Sequence, residues 1–128
     1  MKIEHIAIWV KDLESMKDFY VNTFDMTHND LYHNTTKNFK SYFLSPKTEG
    51  IRIELMTRPD IEESDKYSEI FGIAHLAFSV GSKEKVDEMT ENMRNSGHQI
   101  LGGPRTTGDG YYESVVADPE GNKIELTI

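Results

Sequence analysis

The feature that most constrains this chain is that it contains itself twice. Displaced by 70 residues, Ile3, His5, Ala7 and Val10 fall on Ile73, His75, Ala77 and Val80, while Ile6 falls on Leu76 and Ile8 on Phe78. Met16 and Phe19 fall on Val86 and Met89 at the same displacement. Displaced by 71, Arg52-Ile53-Glu54-Leu55 falls on Lys123-Ile124-Glu125-Leu126. In a chain of 128 residues such a period leaves room for two related half-domains.

Each half reads as β-α-β-β-β. Residues 3–10 alternate, with Ile6, Ile8 and Val10 on one strand face and His5, Ala7 and Trp9 on the other. Asp12 is placed to cap a helix that carries Leu13, Met16, Phe19, Tyr20 and Phe24. A weak strand is expected over 27–33, then strands over 39–44 and 51–56, with turn residues at 45–50 between them. The second half repeats this with a strand over 73–80 and a helix capped by Ser82 and stopped by Gly97. Strands over 99–101, 111–117 and 123–128 complete it. The stretch Gly102-Gly103-Pro104-Arg105-Thr106-Thr107-Gly108 reads as a glycine-rich loop, a plain connection or a lid. The fold class is therefore α+β: two tandem βαβββ modules, about 1–57 and 71–128, joined by a charged linker at about 58–70 and forming one cupped mixed sheet.

Composition then removes whole classes of function. Lys and Arg number 14 against 22 Asp and Glu, a net charge of −8, which suits neither nucleic acid nor an anionic membrane surface. No cysteine is present, so disulfides, thiolate metal sites and cysteine nucleophiles are excluded. The first residues lack the apolar core of a signal peptide, and a cytoplasmic location is expected.

The repeat pairs more than apolar residues. It sets His5 against His75 and Glu54 against Glu125. Each is flanked in its strand by apolar neighbours that face the other way, so all four belong on helix-free faces. Two imidazoles and two carboxylates suit one borderline divalent ion per site: Zn²⁺, Ni²⁺, Co²⁺, Fe²⁺ or Mn²⁺. Four protein donors leave room on such an ion for substrate oxygens. His28, His33 and His98 lie outside this pattern.

The βαβββ repeat, the first-strand His and the closing Asp118-Pro119-Glu120-Gly121-Asn122-Lys123-Ile124-Glu125-Leu126 resemble the glyoxalase I, bleomycin-resistance and extradiol dioxygenase superfamily, the vicinal oxygen chelate proteins. The resemblance covers essentially the whole chain. Within that superfamily, His5, Glu54, His75 and Glu125 are similar in kind and order to the ligands of glyoxalase I. It implies a Ni²⁺- or Zn²⁺-dependent lyase that isomerises a methylglyoxal–thiol hemithioacetal through a metal-held enediolate. It implies a homodimer with sites at the interface and a small-molecule substrate. It makes Glu125 the first choice for the proton-transferring base and Glu54 the second. Bleomycin-resistance proteins share the fold without the ligands, so drug sequestration is the alternative. Epimerase, thiol transferase and dioxygenase chemistry are others.

The substrate pocket departs from the glutathione-dependent enzymes. Those place an Arg four residues after the first-strand His, where this chain has Trp9. A tryptophan offers a wall for an apolar group rather than a clamp for a carboxylate. Arg58 and Arg105 are the candidate anion contacts, and Tyr111 is a further candidate for the pocket lining.

Overall fold

The computed structural model describes residues 1–63, 69 and 71–128. Asp12 and Ser82 start its two helices. The Asp12 carboxylate accepts a hydrogen bond from the Ser15 amide at 2.9 Å, and the Ser82 hydroxyl accepts one from the Lys85 amide at 3.1 Å. Each satisfies an amide left over in the first turn. Helix α1 (Leu13–Phe24) follows strand β1 (His5–Trp9), and helix α2 (Lys83–Asn95) follows strand β6 (Leu76–Ser79). Gly97, at φ 83°, adopts the left-handed conformation just past α2, where its amide reaches the Arg94 carbonyl.

The chain divides into two compact units, Met1–Ser64 and Asp65–Ile128. The first contains β1, α1, β2 (Thr27–His28), β3 (Tyr32–Asn34), β4 (Phe39–Ser45) and β5 (Arg52–Thr57). Its mixed sheet runs β1-β5-β4-β2, with β3 also on β4, and β1 pairs in parallel with β5. The second contains β6, α2, β7 (Ile100–Thr106), β8 (Tyr112–Ala117) and β9 (Lys123–Thr127). Its mixed sheet runs β6-β9-β8-β7, with β6 parallel to β9.

Alternation sorts each sheet into a helix-bearing face and an open one. In the first unit α1 packs on β4 and β5. Its core is Leu13, Met16, Phe19 and Tyr20 against Tyr42, Leu44, Ile53 and Leu55, all buried. In the second unit α2 packs on β7, β8 and β9. Val86, Met89 and Met93 meet Val116, Ile124 and Leu126 there. Each unit also ties its helix to a strand through a tyrosine. Tyr42 donates to Glu14 at 2.8 Å beneath Lys17, and Tyr112 donates to Asp87 at 2.7 Å beneath Lys83. A buried hydrogen bond of 2.6 Å between Thr90 and Ser114 adds a further tie in the second unit.

Three local expectations need correction, and a fourth lies partly outside the described residues. The weak strand expected over 27–33 is two short strands, β2 and β3, both laid along β4. Strand β1 begins at His5 and β6 at Leu76, so both are shorter than expected, and His75 immediately precedes its strand. The stretch read as a loop from Gly102 is largely strand: β7 runs from Ile100 to Thr106, and only the turn beyond it connects to β8. β7 lies at the end of its sheet's strand order, where the missing amide hydrogen of Pro104 is tolerated, and two register shifts absorb the glycines. Of the linker expected at 58–70, residues 64–68 and 70 lie outside the described residues.

Candidate metal centre

Tyr42 reaches α1, so the strand residues flanking it face the opposite way. Phe43 is one of them, and it pairs directly with Glu54, which places Glu54 on the open face. Glu54 pairs on its other side with Ala7, whose small side chain leaves space between His5 and Trp9. His5, two residues up β1, turns Nε2 to within 3.7 Å of Glu54 Oε2. Its other nitrogen, Nδ1, lies 2.5 Å from Glu4 Oε2. Glu4 is ion-paired in turn with Arg52, the residue beside His5 in the β1–β5 register. The Arg52 guanidinium lies over Phe43 at 4.4 Å, and Phe43 meets His5 edge-on at 5.3 Å.

The second unit builds the same pair on the same logic. Ser114 reaches α2, so Val115 and its register partner Glu125 face away from the helix. Glu125 also pairs with Ala77 on β6, and His75 brings Nε2 to 3.4 Å from Glu125 Oε2. The surroundings differ. Glu113 shares the open face with Glu125 by alternation, is buried, and accepts an ion pair from Arg105 at 3.2 Å. Burial pushes the Glu125 carboxyl above the usual glutamate range. The charge of Glu113 and a hydrogen bond with it add to that rise, and His75 opposes it.

The remaining candidates fall in two places. Trp9 stands on the open face of the first sheet, edge-on to Phe39 at 6.1 Å and beneath the Arg58 guanidinium at 5.4 Å. Tyr32 also meets Phe39, at 6.1 Å, so three rings and a cation form one partly exposed cluster. Arg58 is also paired with Asp60 at 2.5 Å. Arg105 stands on β7, held by Glu113. Tyr111 is exposed and closes the β7–β8 turn through its carbonyl, which accepts from the Thr107 amide at 2.8 Å.

The structure thus brings His5 to Glu54 and His75 to Glu125. Among the described residues no group of three or more His, Asp or Glu is arranged to hold a metal ion. The chemistry of each pair nonetheless fits two ligands of one ion. Donors bound at about 2.0–2.2 Å to a tetrahedral ion stand about 3.4 Å from each other. The observed separations are 3.7 and 3.4 Å, beyond the 2.7–2.9 Å (roughly) of a charge-assisted hydrogen bond. Glu54 and Glu125 are mostly shielded, at 15% and 19% side-chain exposure, whereas their histidines are open at 38% and 44%. Sequence reasoning missed Glu4 and Glu113 as neighbours of these pairs. Alternation along β8 could have found Glu113, because it lies two residues from the partner of Glu125.

An α+β chain whose two sheets each carry a His/Glu pair, with the Glu on a strand and the His in or just before one, defines a class of protein. The model of the Glyoxalase/Bleomycin resistance protein/Dioxygenase superfamily matches residues 2–126, and the chain belongs to that superfamily. The uncharacterised protein YqjT of Bacillus subtilis is 28% identical over 127 residues, which cover 97% of this chain and 96% of YqjT. The glyoxalase family protein from Enterococcus faecalis superposes with a TM-score of 0.79 at 25% identity, covering 99% of this chain and 97% of that one. Glyoxalase I from Zea mays superposes with a TM-score of 0.79 at 22% identity, a likeness of fold. The match takes in 98% of this chain but 44% of the maize chain, so this chain spans under half the length of that enzyme. No helix among the described residues is long and apolar enough to cross a membrane.

Proposed function

We propose that the protein is a metal-dependent lyase of glyoxalase I type, which isomerises the hemithioacetal of an α-ketoaldehyde and a thiol. The observation that carries this reading is the repeated His/Glu pair, each with Nε2 and Oε2 at the spacing of two ligands on one ion. Its superfamily and its fold likeness to the maize enzyme support it. Two donors half-coordinate an ion, so each pair needs a second pair. In this reading a homodimer supplies it, with His5 and Glu54 of one copy joined by His75 and Glu125 of the other. Residues 58–70 are then the connection between modules of about 1–57 and 71–128.

A divalent ion, Ni²⁺ or Zn²⁺ in first place, would supply Lewis-acid stabilisation of the charge that develops on the substrate's two adjacent oxygens. The chain's own residues do the rest. Glu125 takes the proton from the hydroxyl-bearing carbon and returns it to the neighbouring carbon. Partial burial strips water from this carboxylate and makes it the stronger base. Glu54 would serve mainly as a ligand to that ion. The cluster of Trp9, Phe39 and Tyr32 receives the thiol's organic part. Its aromatic character fits a less anionic thiol than glutathione, and Arg58 and Arg105 remain the contacts for any single carboxylate it carries.

The same aromatic cluster favours a second reading, a protein that binds a flat apolar compound without turning it over. One experiment separates the two. Protein purified without chelator or His-tag is loaded with Ni²⁺ or Zn²⁺ and assayed on methylglyoxal hemithioacetals of glutathione and of smaller, less anionic thiols. The lyase reading expects metal-dependent turnover that is faster with the less anionic thiols. Absent turnover with every thiol, together with metal-independent quenching of Trp9 fluorescence by aromatic compounds, would establish the binding protein instead.

A further inference from the structure

We propose that Glu4 is a positioning residue that fixes the tautomer of His5 and aims its Nε2 lone pair at the space shared with Glu54. A carboxylate only accepts hydrogen bonds, so the 2.5 Å contact between His5 Nδ1 and Glu4 Oε2 places the ring's proton on Nδ1. Nε2 of the neutral ring is then bare. It faces Glu54 Oε2 at 3.7 Å, too far for a hydrogen bond. Two electron-rich atoms therefore look into one gap with no proton between them, an arrangement that a cation completes. A carboxylate behind a ligating histidine sets its tautomer, its orientation and its basicity.

Glu4 is itself held. Its carboxylate pairs with the Arg52 guanidinium, and its carbonyl accepts from the Arg52 amide at 3.3 Å. Arg52 covers Phe43, and Phe43 meets His5 edge-on, so Glu4, Arg52 and Phe43 form a chain of contacts that starts and ends on the imidazole. Glu4 precedes β1 and so escapes the strand alternation that would send it to the other face. The second unit provides the contrast. The residue before His75 is Ala74, and Lys123, at the position equivalent to Arg52, pairs with Glu69 instead. Among the described residues the device belongs to the first unit, and it rests on the metal reading above for its consequence.

The test uses the full chain with Glu4→Ala and Glu4→Gln, with His75 as the internal control. Nitrogen-15 NMR of the metal-free protein reports which ring nitrogen of each histidine carries the proton. We expect Nδ1 for His5 in the wild type and a shift toward Nε2 in Glu4→Ala, with His75 unmoved. We expect Ni²⁺ affinity to fall about 10- to 100-fold in Glu4→Ala. Glu4→Gln keeps an acceptor, and it should retain the wild-type tautomer and most of the affinity. A His5 protonated on Nε2 in the wild type overturns the proposal. So does a Glu4→Ala protein with unaltered tautomer and affinity, or equal losses in both variants with the tautomer unchanged. A wild-type chain that takes up no Ni²⁺ sinks the metal reading, while the nitrogen shifts still decide whether Glu4 holds His5.

Discussion

Around Glu54 stand Phe43, Arg52 and, through His5, Glu4; around Glu125 stand Val115, Glu113 and, through it, Arg105. The strand pairings that present the two glutamates are alike: each lies beside an alanine on a parallel neighbour and a hydrophobic residue on an antiparallel one. The repeat has kept the donors and the ladders, and the two copies have diverged in what presses on the donors. The first unit braces its histidine with a carboxylate and an aromatic ring. The second sets a further carboxyl against its glutamate and leaves the histidine open. The two pairs are therefore matched in their donors and unmatched in their settings, and unlike settings give carboxylates unlike properties.

That comparison can be broken first at the glutamates. If Glu125 is the base and Glu54 mainly a ligand, Glu125→Gln should lower kcat by roughly 10²–10⁴-fold. Glu54→Gln should fall less in kcat and more in metal affinity. Steady-state kinetics at saturating metal read the split, and equal profiles for both variants would erase the difference between the units.

A smaller effect tests their equivalence as folding units. Leu55 and Leu126 occupy matching repeat positions and are both fully buried. Leu55→Ala and Leu126→Ala should each cost about 2–5 kcal/mol, the penalty for a core cavity. Urea unfolding read through the fluorescence of Trp9, in the first unit, and through far-UV circular dichroism of the whole chain shows whether the damage stays local. Coincident transitions in both variants would mean that the two units unfold as one.

The smallest effect sharpens the helix ties. A hydrogen bond from Lys17 first, and then one from Tyr42, hold the Glu14 carboxyl below the ordinary glutamate value of 4.5. A carboxylate lowered in the folded state stabilises above its unfolded value and loses that contribution as pH falls through the folded one. Glu14 is largely exposed, so Glu14→Gln should cost under about 1 kcal/mol at neutral pH. The stability curves of wild type and variant should converge as the pH drops below 4.5. A difference that persists in acid would assign the tie to packing rather than charge.

Much of this was legible in the residues. The displacement that lays His5 on His75 and Glu54 on Glu125 also locates both helices, and Asp12 and Ser82 cap them as their side chains suggest. Glycine and proline misled over 102–104, because their local preference for turns yields to pairing at the end of a sheet, where register shifts absorb them. The partners of the candidate ligands were the least visible. Glu113 reaches the site through register across strands, which no single segment displays, and Glu4 reaches it from just outside a strand. Alternation alone could place the donors on open faces, but it could not say what would stand behind them.

Metal content tests the central claim most directly. Tag-free protein, exposed to Ni²⁺ or Zn²⁺ and then exhaustively dialysed, is analysed for metal per chain by mass spectrometry, alongside His5→Ala and His75→Ala. A shared four-ligand site predicts one divalent ion per chain in the wild type and none in either variant. An ion-free wild type, or a wild-type ion retained in both variants, would contradict it.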